Sequence, residues 1–170
     1  MKLIAIAAVA LDGTIGIGNE IPWKIPEDFK HFRNTTIGHT LLVGYNTYLS
    51  LPEKAFEDRR YIVLNSYSER GWDVLREGVI QYNNLNSLLH HLEYLKDVET
   101  VFLAGGAMIY DTLINRCDEA IITWVNKTFE KGDKKFPIDK LFTNFEVIND
   151  SAWIRSKSET LYKITTYKKI

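Results

Sequence analysis

Short apolar runs and amphipathic stretches take turns along the whole chain. "LIAIAAVA" is followed by a helical segment from about Pro26, then "TLLVG", "YIVLN", a helix near Ser87 to Leu95, "TVFLAGG", a helix from about Ala107 to Ile114, and "EAIITWV". A brief run of apolar residues without polar alternation fits a strand buried on both faces, and helices between such strands supply the crossovers of a parallel sheet. The alternation therefore predicts a three-layer α/β domain: a mixed, mostly parallel central sheet flanked by about four helices. The tail breaks the pattern. "FEVINDSAWIRS" and "TLYKITTYKKI" read as two long strands with polar alternation joined through "KSE", so an antiparallel C-terminal strand pair is expected to close one edge. In "NSLLHHLEYL", Leu88, Leu92 and Leu95 follow the i, i+4, i+7 spacing of a face packed on a sheet, which assigns that helix to structure.

With 170 residues the chain suits one domain, 1–170, with a sizeable core. A hydrophobic fraction of 45% and a charged fraction of 25% exclude disordered and fibrous classes. Net charge is −1 and the basic residues are dispersed, so nucleic acid and anionic membrane surfaces find little to hold, and a small, compact partner is expected. Cys117 is the sole cysteine. It can form no internal disulfide, reads as a small buried hydrophobe, and points to a reducing, cytoplasmic setting. His31, His39, His90 and His91 make no HExxH and no ligand-spaced cluster, so no metal is expected. "MKLIAIAAVAL" imitates a short secretory signal, but its nine-residue apolar run leads straight into the turn dipeptide Asp12-Gly13, which favours a buried first strand. No stretch approaches the ~18 apolar residues of a membrane span.

Two units share one design of apolar strand, glycine and helix start: "TLLVGYNTYLSL" and "TVFLAGGAMIYDTL". Glycine lets a ligand come close to the backbone, and free amides at a helix start attract anions, so two such units could flank a diphosphate. Neither contains GxGxxG, and an ordinary Rossmann fingerprint is absent. A third segment, "LDGTIGIGNEIPWKIP", spans sixteen residues with three glycines between a strand and a helix. Its Ile15, Ile17, Ile21 and Trp23 are too apolar for a disordered linker; the segment reads as a flap that closes over something, or as a packed surface loop.

The helix that follows raises a question about Asp28. At ~100° per residue, Phe32 lies about 40° and Phe29 about 100° around the helix from Asp28, while Glu27, Lys30 and His31 are placed on the far side. Asp28 thus sits at the edge of an interior face carrying two phenylalanines. Such an acid is either a first-turn residue favoured by the helix dipole or a partly buried group awaiting a cationic, hydrogen-bonding ligand.

The succession "AAVALDGTIGIGNEIPWKIPEDFKHFR", "LLVGYNTYLSLP", "RRYIVLN", "VFLAGGAMIY" and "KGDKKFP" closely resembles dihydrofolate reductase, in order, from about Leu3 to the final strand. The Pro-Trp pair with an acid five residues after the Trp, and the Gly-Gly-x-x-x-Tyr segment, are the specific elements. The resemblance implies reduction of 7,8-dihydrofolate to tetrahydrofolate by hydride from NADPH, in one-carbon and thymidylate metabolism, by an antifolate-sensitive class of enzyme acting as a monomer.

By the same resemblance, Asp28 matches the one ionisable pocket residue, whose carboxylate would accept from the pterin's amino group and ring N–H and favour the protonated substrate, with water delivering the proton. Thr123 matches the threonine that supports this carboxylate, and Ile21 lies in the mobile loop that excludes water from the nicotinamide. Phe32 and Leu51 match apolar walls, Ile6 and Ala104 match backbone carbonyls that meet the pterin amino group, and Arg59 matches the arginine that grips the substrate's α-carboxylate. On the cofactor side the matching positions are Ala8 (carboxamide), Ile15, Gly16 and Asn19 (loop), Gly44, Asn46 and Thr47 (first helix start), and Leu64, Asn65 and Ser66 (adenosine side). They continue with Gly105, Gly106, Ala107 and Met108 at the second helix start, where the family has a cis Gly-Gly bond, and with Tyr110 beside the nicotinamide.

Two departures bear on the cofactor. Tyr45 stands where many members place a base for the 2′-phosphate of NADPH, and Met108 where some carry arginine; Arg70 or another base after Ser66 is the expected substitute. Competing readings are a same-fold reductase of another pterin or a pyrimidine, and a non-catalytic nucleotide-binding protein.

Overall fold

The computed structural model describes residues 2–95 and 97–170. Its strands are β1 (Lys2–Ala10), β2 (Thr14–Gly16), β3 (Thr40–Gly44), β4 (Arg60–Leu64), β5 (Trp72–Arg76), β6 (Val79–Tyr82), β7 (Thr100–Leu103), β8 (Glu119–Val125), β9 (Lys134–Lys135), β10 (Phe145–Asp150), β11 (Ile154–Arg155) and β12 (Leu161–Lys169). The helices are α1 (Pro26–Thr36), α2 (Tyr45–Ser50), α3 (Leu85–Tyr94), α4 (Ala107–Leu113) and α5 (Ile138–Asn144). Short 3-10 turns lie at Glu53–Phe56 and Ile114–Arg116.

The main sheet runs β10-β12-β8-β1-β7-β3-β4-β6-β5, with β11 paired to β12. Its centre is parallel: β8-β1, β1-β7, β7-β3, β3-β4 and β4-β6. The expected antiparallel C-terminal pair closes one edge, with β12 antiparallel to both β8 and β10. Its first strand is interrupted: β10 ends at Asp150 and pairing resumes only at β11.

Strand alternation sorts the apolar side chains into two layers. Leu3, Ala5, Leu42, Ile62, Val101, Leu103, Ala120 and Ile122 face one way, under Leu88 and Leu92 of α3, Ile109 and Leu113 of α4 and Leu141 of α5. Ile4, Ile6, Leu41, Val43, Tyr61, Val63 and Phe102 face the other, under Phe32 of α1 and Tyr45 and Tyr48 of α2. This is the three-layer order that the alternating runs imply.

Two elements differ from the sequence expectation. Five α-helices are present among the described residues where about four were expected, because α5 has seven residues, follows Pro137 and buries only Leu141, too little for a periodic signal. The edge opposite the C-terminal pair is also antiparallel, since β5 and β6 form a hairpin around Gly78 at φ +76°. No residue of β5 is buried, so an apolar run never marks it.

Helix α1 begins as its sequence dictates. Ile25 is extended and buried, Pro26 occupies the first turn, and Glu27 and Asp28 follow at the positive end of the dipole. Phe32 packs inward, but Phe29 is 59% exposed, so only one of the two phenylalanines belongs to the interior. The reason is angular: about 100° from Asp28, Phe29 lies beyond the arc that the sheet covers.

Candidate active site

Thr123 Oγ1 donates to Asp28 Oδ1 at 2.6 Å, tying α1 to the middle of β8. Thr123 is buried and Asp28 half-buried. Among the described residues no other group hydrogen-bonds the carboxylate, so its second oxygen is free for a ligand. Burial raises the Asp28 carboxyl above its ordinary value, while the Thr123 hydrogen bond and the charge of His31 partly oppose the shift. Glu27, its neighbour in sequence, turns elsewhere and accepts from Ser156 Oγ at 3.2 Å and the Lys157 amide at 3.1 Å. The angular reading that sets His31 on the far side is corrected by the structure: it is half-buried, about 60° from Asp28, with its Nε2 shut off from solvent.

Beside Thr123 on the sheet lies Ala8, and Ile6 pairs with Ile121 two residues earlier. The Tyr110 hydroxyl donates to the Ile6 carbonyl at 2.7 Å within the core. Desolvation pushes that phenol up, with further contributions from Cys117 and Asp28. Tyr110 in turn underlies Gly105, which has φ +107° and whose Cβ, if present, would lie 3.4 Å from the ring. Glycine is required there for conformation, since a Cβ at that distance would make only ordinary contact with the ring.

The two strand-glycine-helix units converge, as their shared design implies. The Gly44 amide donates to the Gly105 carbonyl at 2.8 Å, and a Cβ on Gly106 would approach Thr47 Oγ1 at 3.3 Å. The Gly105-Gly106 peptide is cis. Neither α2 nor α4 carries a charged residue in its first turn, so the pooled amide ends stay electropositive. A glycine-lined cradle between two helix starts fits a diphosphate. Asn46 is exposed and Thr47 and Ala107 half-exposed at its rim, while Met108 is 73% exposed. On the flank, Leu64 is half-buried and Ser66 exposed, but Asn65 is buried and committed: its Nδ2 donates to Gln81 at 3.0 Å and its Oδ1 accepts from the Tyr67 amide at 3.2 Å. Asn65 therefore shapes the loop through its neighbours. Arg70 pairs with Asp73 at 3.6 Å, and Tyr45 stacks near Tyr48.

Along α1, Asp28, Phe32 and Thr36 fall at intervals of four, a strip spanning about 12 Å. Its far end holds Arg59, whose Nε donates to Thr36 Oγ1 at 3.0 Å and whose two terminal nitrogens donate to the Glu57 and Arg33 carbonyls, each at 2.9 Å. Arg59 is thereby fixed in direction, and it lines a surface cavity of about 610 Å³. Arg60, its neighbour, is taken up by Glu99 at 2.7 Å, which separates the two arginines. Leu51 and Ala104 pack with Phe32 on the same face of the sheet.

The flap is anchored at its start. β2 pairs with β9, the Gly18 amide donates to Asp133 Oδ1 at 2.8 Å, and Lys135 Nζ donates to Thr14 Oγ1 at 2.9 Å. Any Cβ on Gly132 would overlap the side chain of buried Thr14. Ile15 is half-buried and Gly16 buried, whereas Asn19 and Ile21 at the tip are exposed, Ile21 at 54%. The anchors Gly132, Asp133 and Lys135 were absent from the candidate residues. Their one signal was "KGDKKFP", a glycine beside an acid in a polar loop, which gives no hint of the strand it meets.

A family model described as dihydrofolate reductase matches residues 2–169. The chain belongs to the dihydrofolate reductase family. It is 33% identical over 163 residues to a dihydrofolate reductase of Mycoplasma pneumoniae, covering 94% of this chain and 97% of that one. It is likewise 33% identical over 138 residues to one of Staphylococcus aureus, covering 81% and 79%. Its backbone is similar to dihydrofolate reductase from Enterococcus faecalis complexed with NADP(H) and RAB-propyl, at a TM-score of 0.81 and 29% identity over 99% of this chain and 96% of that one. The dihydrofolate reductase fold is thus the one that the alternating runs describe. Among the described residues no group of His, Cys, Asp and Glu could hold a metal ion, and no helix is long and apolar enough to cross a membrane.

Proposed function

We propose that this chain reduces 7,8-dihydrofolate to 5,6,7,8-tetrahydrofolate with NADPH. The carrying observation is the half-buried Asp28 carboxylate, bonded once by Thr123 of β8, a strand that β1 alone separates from β7, the strand leading into the glycine cradle. Bound NADPH supplies the hydride. The chain's own residues do the rest. Asp28 accepts from the donor edge of the pterin, which orients the ring and favours the protonated substrate, and Thr123 fixes the acceptor oxygen. The carbonyls of Ile6 and Ala104 take a further share of the amino group; Ile6 keeps a lone pair beyond its bond to Tyr110. Phe32 and Leu51 wall the benzoyl ring, and Arg59, at the end of the strip about 12 Å long, grips the substrate's α-carboxylate.

Gly44, Asn46, Thr47, Gly105, Gly106 and Ala107 hold the diphosphate in this reading, Leu64 and Ser66 flank the adenosine, and Ala8 and Tyr110 border the nicotinamide. Ile15, Gly16, Asn19 and Ile21 close over that ring and keep water out. The whole of 1–170 acts as one domain and as a monomer, without nucleic acid. A cytoplasmic setting agrees with the single cysteine, Cys117, which is buried.

The test is direct. Purified protein with dihydrofolate and NADPH is expected to consume reduced nicotinamide, and Asp28→Asn to lose most of that rate. Cofactor binding without turnover would favour the non-catalytic reading, and turnover only with other pterins would favour a sister reductase.

A further inference from the structure

The cradle accounts for a diphosphate, but a nucleotide that carries a further phosphate on its ribose needs a second hold. Gly44, Leu64 and Tyr82 pair in a row across β3, β4 and β6, and Trp72 of β5 pairs with Tyr82. An adenosine leaving the cradle along Leu64 and Ser66 therefore lies over the ends of these strands. Whatever grips a phosphate on its ribose has to come from the segments that meet there.

Those segments are nearly without positive charge. Residues 44–51, 64–72, 82–87 and 104–110 contain a single lysine or arginine between them, Arg70. Tyr45 is half-buried and packs with Tyr48 against the cluster that contains Leu41 and Val43. Asn65 is bonded to Gln81 and to the Tyr67 amide, Met108 is exposed but apolar, and Ser66 offers a neutral hydroxyl.

Arg70 is itself shared. The loop that carries it is pinned to the end of β6: Asn83 Nδ2 donates to the Ser68 carbonyl at 3.2 Å, and the Asn83 amide donates to the Gly71 carbonyl at 3.2 Å. From this loop Arg70 Nη1 lies 3.6 Å from Asp73 Oδ1. Asp73 belongs to β5, the outermost strand, three strands or about 14 Å from β3. The pair holds the guanidinium toward the sheet edge and offsets its charge.

We propose that Asp73 is a specificity-determining residue for the nucleotide: by pairing with the one cation at hand it leaves the ribose phosphate weakly held, so this chain binds NADH within about tenfold of NADPH. A phosphate that meets a free arginine gains charge-assisted hydrogen bonds that NADH cannot make, and one that competes with a carboxylate for that arginine gains less. The inference rests on the nucleotide lying in the glycine cradle, as proposed above, and it concerns affinity alone.

The experiment is equilibrium binding of NADPH and of NADH to the full chain, followed by tryptophan fluorescence without dihydrofolate. Wild type is expected to give dissociation constants no more than about tenfold apart. Asp73→Asn is expected to tighten NADPH about threefold and leave NADH unchanged, the size expected of an exposed ion pair. Arg70→Gln is expected to weaken NADPH alone and bring the two constants together. A pair this exposed contributes little to the fold, so both variants remain folded for the measurement. Constants about a hundredfold apart, or a ratio that neither variant alters, overturn the proposal and leave the cradle reading standing. Failure of both nucleotides to bind removes the cradle reading and the proposal with it.

Discussion

Asp12 and Asp28 stand at the two ends of the flap and use the same side chain in opposite ways. Asp12 accepts from the Thr14 amide at 3.1 Å and the Phe129 amide at 2.8 Å, and Lys135 lies 3.7 Å away. Burial works to raise its carboxyl, but these hydrogen bonds and the lysine outweigh it and hold the group at about 2. Among the described residues the Asp28 carboxylate accepts one hydrogen bond, and its carboxyl is raised. A carboxylate satisfied on every side fastens the loop to its surroundings. A carboxylate satisfied on one side retains affinity for something else, at some expense in stability.

The contrast breaks if exchanging either acid for its amide gives the same result. Asp28→Asn is expected to lower kcat/KM for dihydrofolate by about 10²-fold near neutral pH, with the deficit narrowing in acid, where the substrate protonates unaided. A pH–rate profile checks it. Asp12→Asn is expected to act on stability, lowering it by roughly 1–2 kcal/mol in urea unfolding with kcat nearly unchanged. Because the folded value of Asp12 is depressed, its contribution is complete above the ordinary carboxylate value of 3.8 and is lost as pH falls through about 2; wild type and variant should converge there.

Thr123→Val removes the donor while keeping the shape. It should reduce kcat/KM by roughly 3- to 10-fold and raise the Asp28 midpoint further, since that hydrogen bond favours the anion. The smallest effect has the opposite sign. The folded Asp28 carboxyl is raised, so its charged form costs stability above that raised value and nothing below the ordinary carboxylate range. Asp28→Asn should therefore melt roughly 2–4 °C higher than wild type at neutral pH, with no gain in strong acid. A calorimetric series across pH would show the crossover, and a melting point that drops at neutral pH would mean Asp28 is structural after all.

The apolar runs made the parallel centre of the sheet legible, because strands buried on two faces must be apolar throughout. β5 and α5 were not, since neither buries enough side chain to leave a period in the sequence. Asp28 could be singled out from helical angles, and Thr123 only through resemblance: the two stand 95 positions apart, and nothing local signals that a strand will present its hydroxyl there. His31 was misplaced for a different reason. Three residues make about 300°, which is about 60° from Asp28 on the side away from Phe32, so the angle itself sets His31 beside the acid, and its ring nitrogen is sealed from solvent there. Phe29 shows the converse, an apolar residue that the sheet does not reach.

One buried bond carries a mechanical consequence. The Tyr110 hydroxyl, fastened to the Ile6 carbonyl, acts as a strut from the helix behind the glycine cradle to the strand flooring the acid's cleft. Whatever settles against Gly105 and Gly106 leans on that helix, and a tilt there is transmitted to a carbonyl on the opposite shore. Cutting the strut with Tyr110→Phe should leave both shores standing and let them drift independently.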